Sequence, residues 1–105
     1  MEINMTIKLI KKTAENVELL LEGRLDTSTA PSAQEAFEKV ANQYAHIEMN
    51  FKDLTYISSA GLRTLLALQK QVNKTGGTLC LTHVQPAVKE VLDITGFAGI
   101  LTIKD

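Results

Sequence analysis

LTYISSAGLRTLLAL, residues Leu54–Leu68, joins an apolar strand at Ile47–Phe51 to a leucine-rich helix, and the rest of the chain is organised around that junction. Ser58 and Ser59 fall where the helix begins, among the first N–H groups that have no carbonyl partner within it. Backed by Ala60, Gly61 and Leu62, they form a compact surface on which a hydroxyl lies over a helix N-terminus. The backbone favours added negative charge there, so the junction is a candidate phosphate position.

Working outward, Ile3–Ile10 alternates, with Ile3, Met5, Ile7 and Leu9 on one face and Asn4, Thr6 and Lys8 on the other, the pattern of a strand with one wet face. The short polar run Lys11–Asn16 leads into Val17–Glu22 (VELLLE), a more buried strand, so a hairpin is the simplest connection and Gly23 its end. In Arg24–Ser32 (RLDTSTAPS), Thr29 is placed as the N-cap of a helix with Pro31 in its first turn. Ala33, Ala36, Phe37, Val40, Ala41 and Tyr44 then recur at helical spacing as one apolar stripe.

After Ile47–Phe51, a loop over Lys52–Ile57 is expected to carry the chain into the second helix, whose Leu62, Leu65, Leu66, Leu68 and Val72 make a wider apolar arc. Asn73–Gly77 (NKTGG) stops that helix, and Thr78–Thr82 (TLCLT) is a short strand. Pro86 opens a third helix, with Val88, Val91 and Leu92 on one face, Gly96 closes it, and Ile100–Ile103 is a last strand. The order β-β-α-β-α-β-α-β implies an α/β fold, a mixed sheet with parallel pairs and helices packed over it. Sites in such folds lie at the carboxyl ends of the strands, where the Ser58–Ser59 turn sits. The Gly23–Thr27 segment joins it there if the second strand runs beside the third.

At 105 residues the chain is one domain, 1–105, with room for one two-layer core. A formal net charge of -1 gives no electrostatic reason to expect nucleic acid or an anionic membrane, which leaves a protein or small ligand as partner. A single cysteine, Cys80, requires no oxidising compartment. The N-terminus alternates instead of showing a basic start and an apolar run, and the roughly 18 successive apolar residues of a membrane span occur nowhere. The expectation is a soluble cytoplasmic protein without membrane insertion.

Three stretches, LEGRLDTSTAP (Leu21–Pro31), FKDLTYISSAGLRTLL (Phe51–Leu66) and VLDITGF (Val91–Phe97), together resemble a STAS domain of the bacterial anti-sigma factor antagonist type. That resemblance implies the STAS fold over residues 1–105. In that family the serine two residues before the glycine is phosphorylated by a partner that is both anti-sigma factor and serine kinase, which makes Ser59 the acceptor here and Ser58 the second choice. A separate serine phosphatase would reset it. The resemblance also points to Asp26 as an acidic neighbour at the end of the second strand. The partner surface it implies comprises Asp26, Thr27, Ser58, Ser59, Ala60, Gly61, Leu62 and Arg63. Many members carry aspartate just before the acceptor, and this chain has Ser58 there.

The residues also admit plainer roles. Serines before helices usually act as caps, and the two roles are compatible if Ser58 caps and Ser59 faces outward. Asp26 serves equally well as a turn or cap residue, and Arg63 as part of a solvated helix face. His46, His83 and Cys80 show no metal-ligand spacing, so neither a metal nor a cofactor is expected. The order Asp26, His46, Ser59 lacks a Gly-x-Ser-x-Gly elbow, and no glycine-rich ATP loop is present, so the chain reads as a kinase substrate and not an enzyme. Two functions remain open at this point: a phosphorylation-switched antagonist, or a STAS domain serving as an unswitched scaffold in a signalling or lipid-transport complex.

Overall fold

The structure is a computed structural model that describes residues 5–104. Five strands form one sheet in the order β1-β2-β3-β4-β5: β1 (Met5–Lys12), β2 (Asn16–Leu25), β3 (His46–Ile57), β4 (Thr78–Thr82) and β5 (Thr102–Lys104). β1 pairs antiparallel with β2, as the expected hairpin requires, and the other neighbours are parallel. Helices α1 (Ala30–Gln43), α2 (Ser59–Lys74) and α3 (Pro86–Ile94) make the three crossovers. Because strand order advances one way from β2 to β5, right-handed crossovers put all three helices on the same face of the sheet.

The core follows from that one-sided cover. Val17 and Leu19 on β2 stand opposite Ile47 and Met49 on β3, which in turn stand opposite Leu79 and Leu81 on β4, and all six are buried. Phe37 from α1 and Leu65, Leu68 and Val72 from α2 close over them. The alternate residues Glu18, Glu48 and Cys80 line the uncovered face.

Two sequence expectations change where β2 and β3 pair. The segment Lys52–Ile57 is not a loop but the second half of β3, and Gly23 does not end β2, which runs on to Leu25. The cause is two irregularities in the β2–β3 register: Leu20 opposes Asn50 but Glu22 opposes Asp53, and Gly23 opposes Leu54 but Arg24 opposes Tyr56. Each inserts one extra residue into β3, so its buried positions run Phe51, Leu54, Ile57 at intervals of three and the alternation that signals a strand is lost. Gly23 takes φ 100° at the second irregularity, a conformation that only glycine adopts cheaply inside a strand.

In β1, Met5 and Ile7 are half-buried, but Leu9 and Ile10 are exposed, because a bulge between Leu9 and Lys11 turns that end of the edge strand and the helices do not cover it. Ile3 and Asn4 of the expected strand lie outside the described residues. At the C-terminus the last strand begins two residues later than expected, after a 3-10 turn at Phe97–Gly99.

Candidate functional site

The lip of the sheet where β2 and β3 end together is built by their pairing. Leu25 opposes Ile57, both side chains are buried, and the Ser58 N–H donates to the Leu25 carbonyl at 2.9 Å, extending the contact to the last residue before α2. Ser58 is the N-cap of α2, with extended backbone (φ -104°, ψ 175°), and its hydroxyl accepts from the Gly61 N–H at 3.3 Å. Ser59, the first helical residue, is exposed. The two adjacent hydroxyls therefore divide their work: one satisfies the helix, and the other is presented to solvent. Ser58→Ala is expected to cost about 0.5–2 kcal/mol through the lost cap, measured as a lowered Tm, while leaving the Ser59 hydroxyl in place.

Of the Ala60, Gly61 and Leu62 amides, which could donate to a phosphate on Ser59, two are engaged within the helix. Gly61 donates to Ser58 Oγ and the Leu62 N–H to the Ser58 carbonyl at 2.9 Å. The Ala60 N–H makes no such bond among the described residues, and with the α2 dipole it is what the backbone offers an anion on Ser59. Leu62, expected on the partner surface, turns its side chain into the core, as the first member of the apolar arc of α2 must. Arg63 is exposed one turn into α2.

Asp26 lies in the turn directly after β2, beside Ser58, but its carboxylate is spent locally. Oδ1 accepts from the Ser28 hydroxyl at 2.8 Å, the Ser28 N–H at 3.0 Å and the Thr29 N–H at 3.1 Å. Thr29 occupies the expected N-cap position, with Pro31 in the first turn, but makes no side-chain cap. Its hydroxyl accepts from the Asp26 N–H and donates to the Arg24 carbonyl. Asp26 is thus the residue that folds the β2–α1 turn and holds Thr27 exposed on the lip.

These hydrogen bonds, that from the Ser28 hydroxyl above all, hold the Asp26 carboxyl below its ordinary value of 3.8. A carboxyl whose folded value lies below its unfolded one adds stability in full above the unfolded value and loses it as pH falls through the folded one. The wild-type Tm is therefore expected to fall more steeply than that of Asp26→Asn as pH drops below about 4, and parallel melting curves between pH 2 and 7 check this.

The structure also brings in two residues that the sequence pattern did not single out. Arg24 stacks on Tyr56, its guanidinium carbon 4.1 Å from the ring centroid, and its Nε lies 3.5 Å from Asp26 Oδ2. Tyr56 is 32 positions further along the chain, so no local spacing announces the pair; the one available sign was Arg24 two residues before Asp26, on the same face of the strand.

Elsewhere, the residues that could have suggested other chemistry stay apart. His46 begins β3 and bonds Thr78 at 2.8 Å, at the opposite end of a 12-residue strand from Ser59, so Asp26, His46 and Ser59 form no triad. Burial pushes the Cys80 thiol up, away from thiolate reactivity. Among the described residues no three His, Cys, Asp or Glu side chains converge as metal ligands, and no helix is long and apolar enough to cross a membrane. A shallow concavity of about 720 Å³ on the uncovered sheet face is lined by Lys11, Glu18, His46, Glu48 and Cys80, among others, and by none of the lip residues.

Comparison with known proteins gives the geometry its context. The family model described as "STAS domain" matches residues 8–105. An anti-sigma-B factor antagonist of Bacillus subtilis is 30% identical over 103 residues, covering 98% of this chain and 92% of that protein. An anti-sigma F factor antagonist of Paenibacillus polymyxa is 31% identical over 87 residues, covering 81% and 74%. Among solved structures, the anti-sigma factor antagonist SpoIIAA in its unphosphorylated form superposes with TM-score 0.81 at 20% identity, covering 95% of this chain and 89% of that one.

Proposed function

The chain belongs to the STAS domain family, and on that footing we propose that it is an anti-sigma factor antagonist whose grip on an anti-sigma factor serine kinase is released when that kinase phosphorylates Ser59. In this reading the unmodified protein occupies the anti-sigma factor and frees a sigma factor in the cytoplasm. Phosphate on Ser59 ends the complex, and a serine phosphatase restores it. One observation carries the reading: Ser59 is exposed at the start of α2 while the neighbouring Ser58 hydroxyl is committed to the helix cap. A kinase needs a free hydroxyl on a firm support, and the lip offers one.

The docking surface in this reading is the lip: Thr27 on its turn, Ser59 and Ala60 at the start of α2, and Arg63 one turn on, with Asp26, Ser58 and Gly61 holding the backbone beneath them. Leu62 contributes packing and not contact. A phosphoserine brings about -1.5 to -2 charge at neutral pH. Over the α2 N-terminus that charge is tolerated in the free domain, whereas in an interface matched to a neutral hydroxyl it is buried without compensation.

The test is incubation with ATP, magnesium and the anti-sigma factor kinase of the same genome, followed by mass analysis of the peptide spanning Ser59. One added phosphate is expected on the wild type and on Ser58→Ala, and none on Ser59→Ala. An unmodified wild type leaves the unswitched scaffold as the function, and phosphate that persists in Ser59→Ala moves the acceptor away from Ser59, with Ser58 the second choice.

A further inference from the structure

Arg24 stands one residue before the strand end that receives the Ser58 N–H, on a side chain that can change partners. Its neighbour on β3 is Tyr56, and Ser58, the N-cap of α2, follows two residues later. Backbone pairing continues to Ser58 through the Leu25 carbonyl, so the guanidinium is anchored at the rim from which Ser59 projects. About half of the Arg24 side chain is exposed, and the face of the Tyr56 ring supports it at 4.1 Å without using any of its N–H donors.

What Arg24 holds now is a weak competitor. Among the described residues its ionic contact is Nε to Asp26 Oδ2 at 3.5 Å, long for a charge-assisted bond. Asp26 for its part already receives three donors from Ser28 and Thr29 on Oδ1 and does not depend on the guanidinium. A phosphate monoester offers three oxygens and up to twice the charge, in the geometry that a guanidinium fork binds bidentately. The position before the acceptor is the neutral Ser58, so no carboxylate stands between the two.

We propose that Arg24 is the cation that receives the phosphate on Ser59, exchanging Asp26 for phosphoserine. The role rests on Ser59 being the modified residue. It gives the phosphorylated lip its own fixed structure: the guanidinium is drawn toward α2, and the Thr27 turn loses its contact with Arg24 through Asp26. Arg63, one turn into α2, is the rival cation.

The test places phosphoserine at position 59 during translation, so that no kinase is needed, and follows the phosphorus resonance from pH 4 to 8. The second ionisation of the wild-type phosphate is expected at least about 0.5 pH unit below that of Arg24→Gln, with Arg63→Gln matching the wild type. The Arg24 Nε–H resonance of the wild type should shift with the same midpoint, a readout that stands even if Arg24→Gln fails to fold. Equal midpoints in wild type and Arg24→Gln, a midpoint raised in Arg63→Gln instead, or an Arg24 resonance that ignores the titration would overturn the proposal. A kinase that leaves Ser59 untouched in the native protein would remove the switch while leaving this pairing intact. Conversely, a phosphate that forms but ignores Arg24 removes only the pairing.

Discussion

Gly61→Ala is expected to destabilise the domain by about 1–3 kcal/mol, the range for a side chain forced into a filled space, and to lower its Tm by roughly 4 °C or more. A Cβ at position 61 would lie 2.6 Å from the Leu25 carbonyl oxygen and 2.8 Å from Leu25 Cγ. The first of these is backbone at the end of a central strand, which cannot give way as a side chain tip can. The same carbonyl receives the Ser58 N–H, so relief requires α2 to lift away from β2 at the point where Ser58 and Ser59 are held. In an ordinary helix interior alanine is the more favourable residue by about 1 kcal/mol. A loss in place of that gain is the signature of close approach, and thermal melts of the two proteins decide it. A Tm equal to or above the wild type's would show that α2 does not rest on the strand end as described.

Phosphate on Ser59 is expected to weaken binding to the anti-sigma factor kinase by about 5- to 150-fold, the effect of a coupling of about 1–3 kcal/mol. The effect is electrostatic and local. Ser59 stands at the mouth of α2 with its side chain in solvent, so the modification requires no unfolding and leaves the core residues Leu65, Leu68 and Val72 as they are. The free protein accommodates the charge over the helix terminus, and the bound protein must desolvate it. The modified and unmodified proteins should therefore melt within a few degrees of one another while differing widely in affinity.

Much of this architecture was legible in the sequence because local chemistry and tertiary context agree. VELLLE is a short apolar run of the kind a buried strand carries, the α1 stripe from Ala33 to Tyr44 marks a helix on a sheet, and Ser58 is a cap by residue type and position alike. The second half of β3 was not legible. Two extra residues break its alternation, and only the pairing with Glu22–Leu25 keeps it extended. For the same reason Gly23 reads as a terminator when it is an interior residue at positive φ.

At the site, the cap and the exposed hydroxyl followed from the order of residues. Leu62 reads both as partner surface, from its place beside the motif, and as the first residue of the α2 apolar arc, and its burial follows the arc. Asp26 could be read as a site acid or a turn residue, and its three hydrogen bonds from Ser28 and Thr29 make it a turn residue that also touches Arg24. The Arg24–Tyr56 stack depends on register across two strands, which no spacing along the chain encodes.

The direct trial of the Ser59 switch is a calorimetric titration of the anti-sigma factor kinase, without ATP, with two preparations: unmodified protein, and protein carrying one phosphate on Ser59 as verified by mass. Tight one-site binding by the first and an affinity at least about fivefold weaker for the second is the expected result. Equal affinity of the two for the kinase would contradict it, and Ser59 would then be an exposed hydroxyl with no part in release.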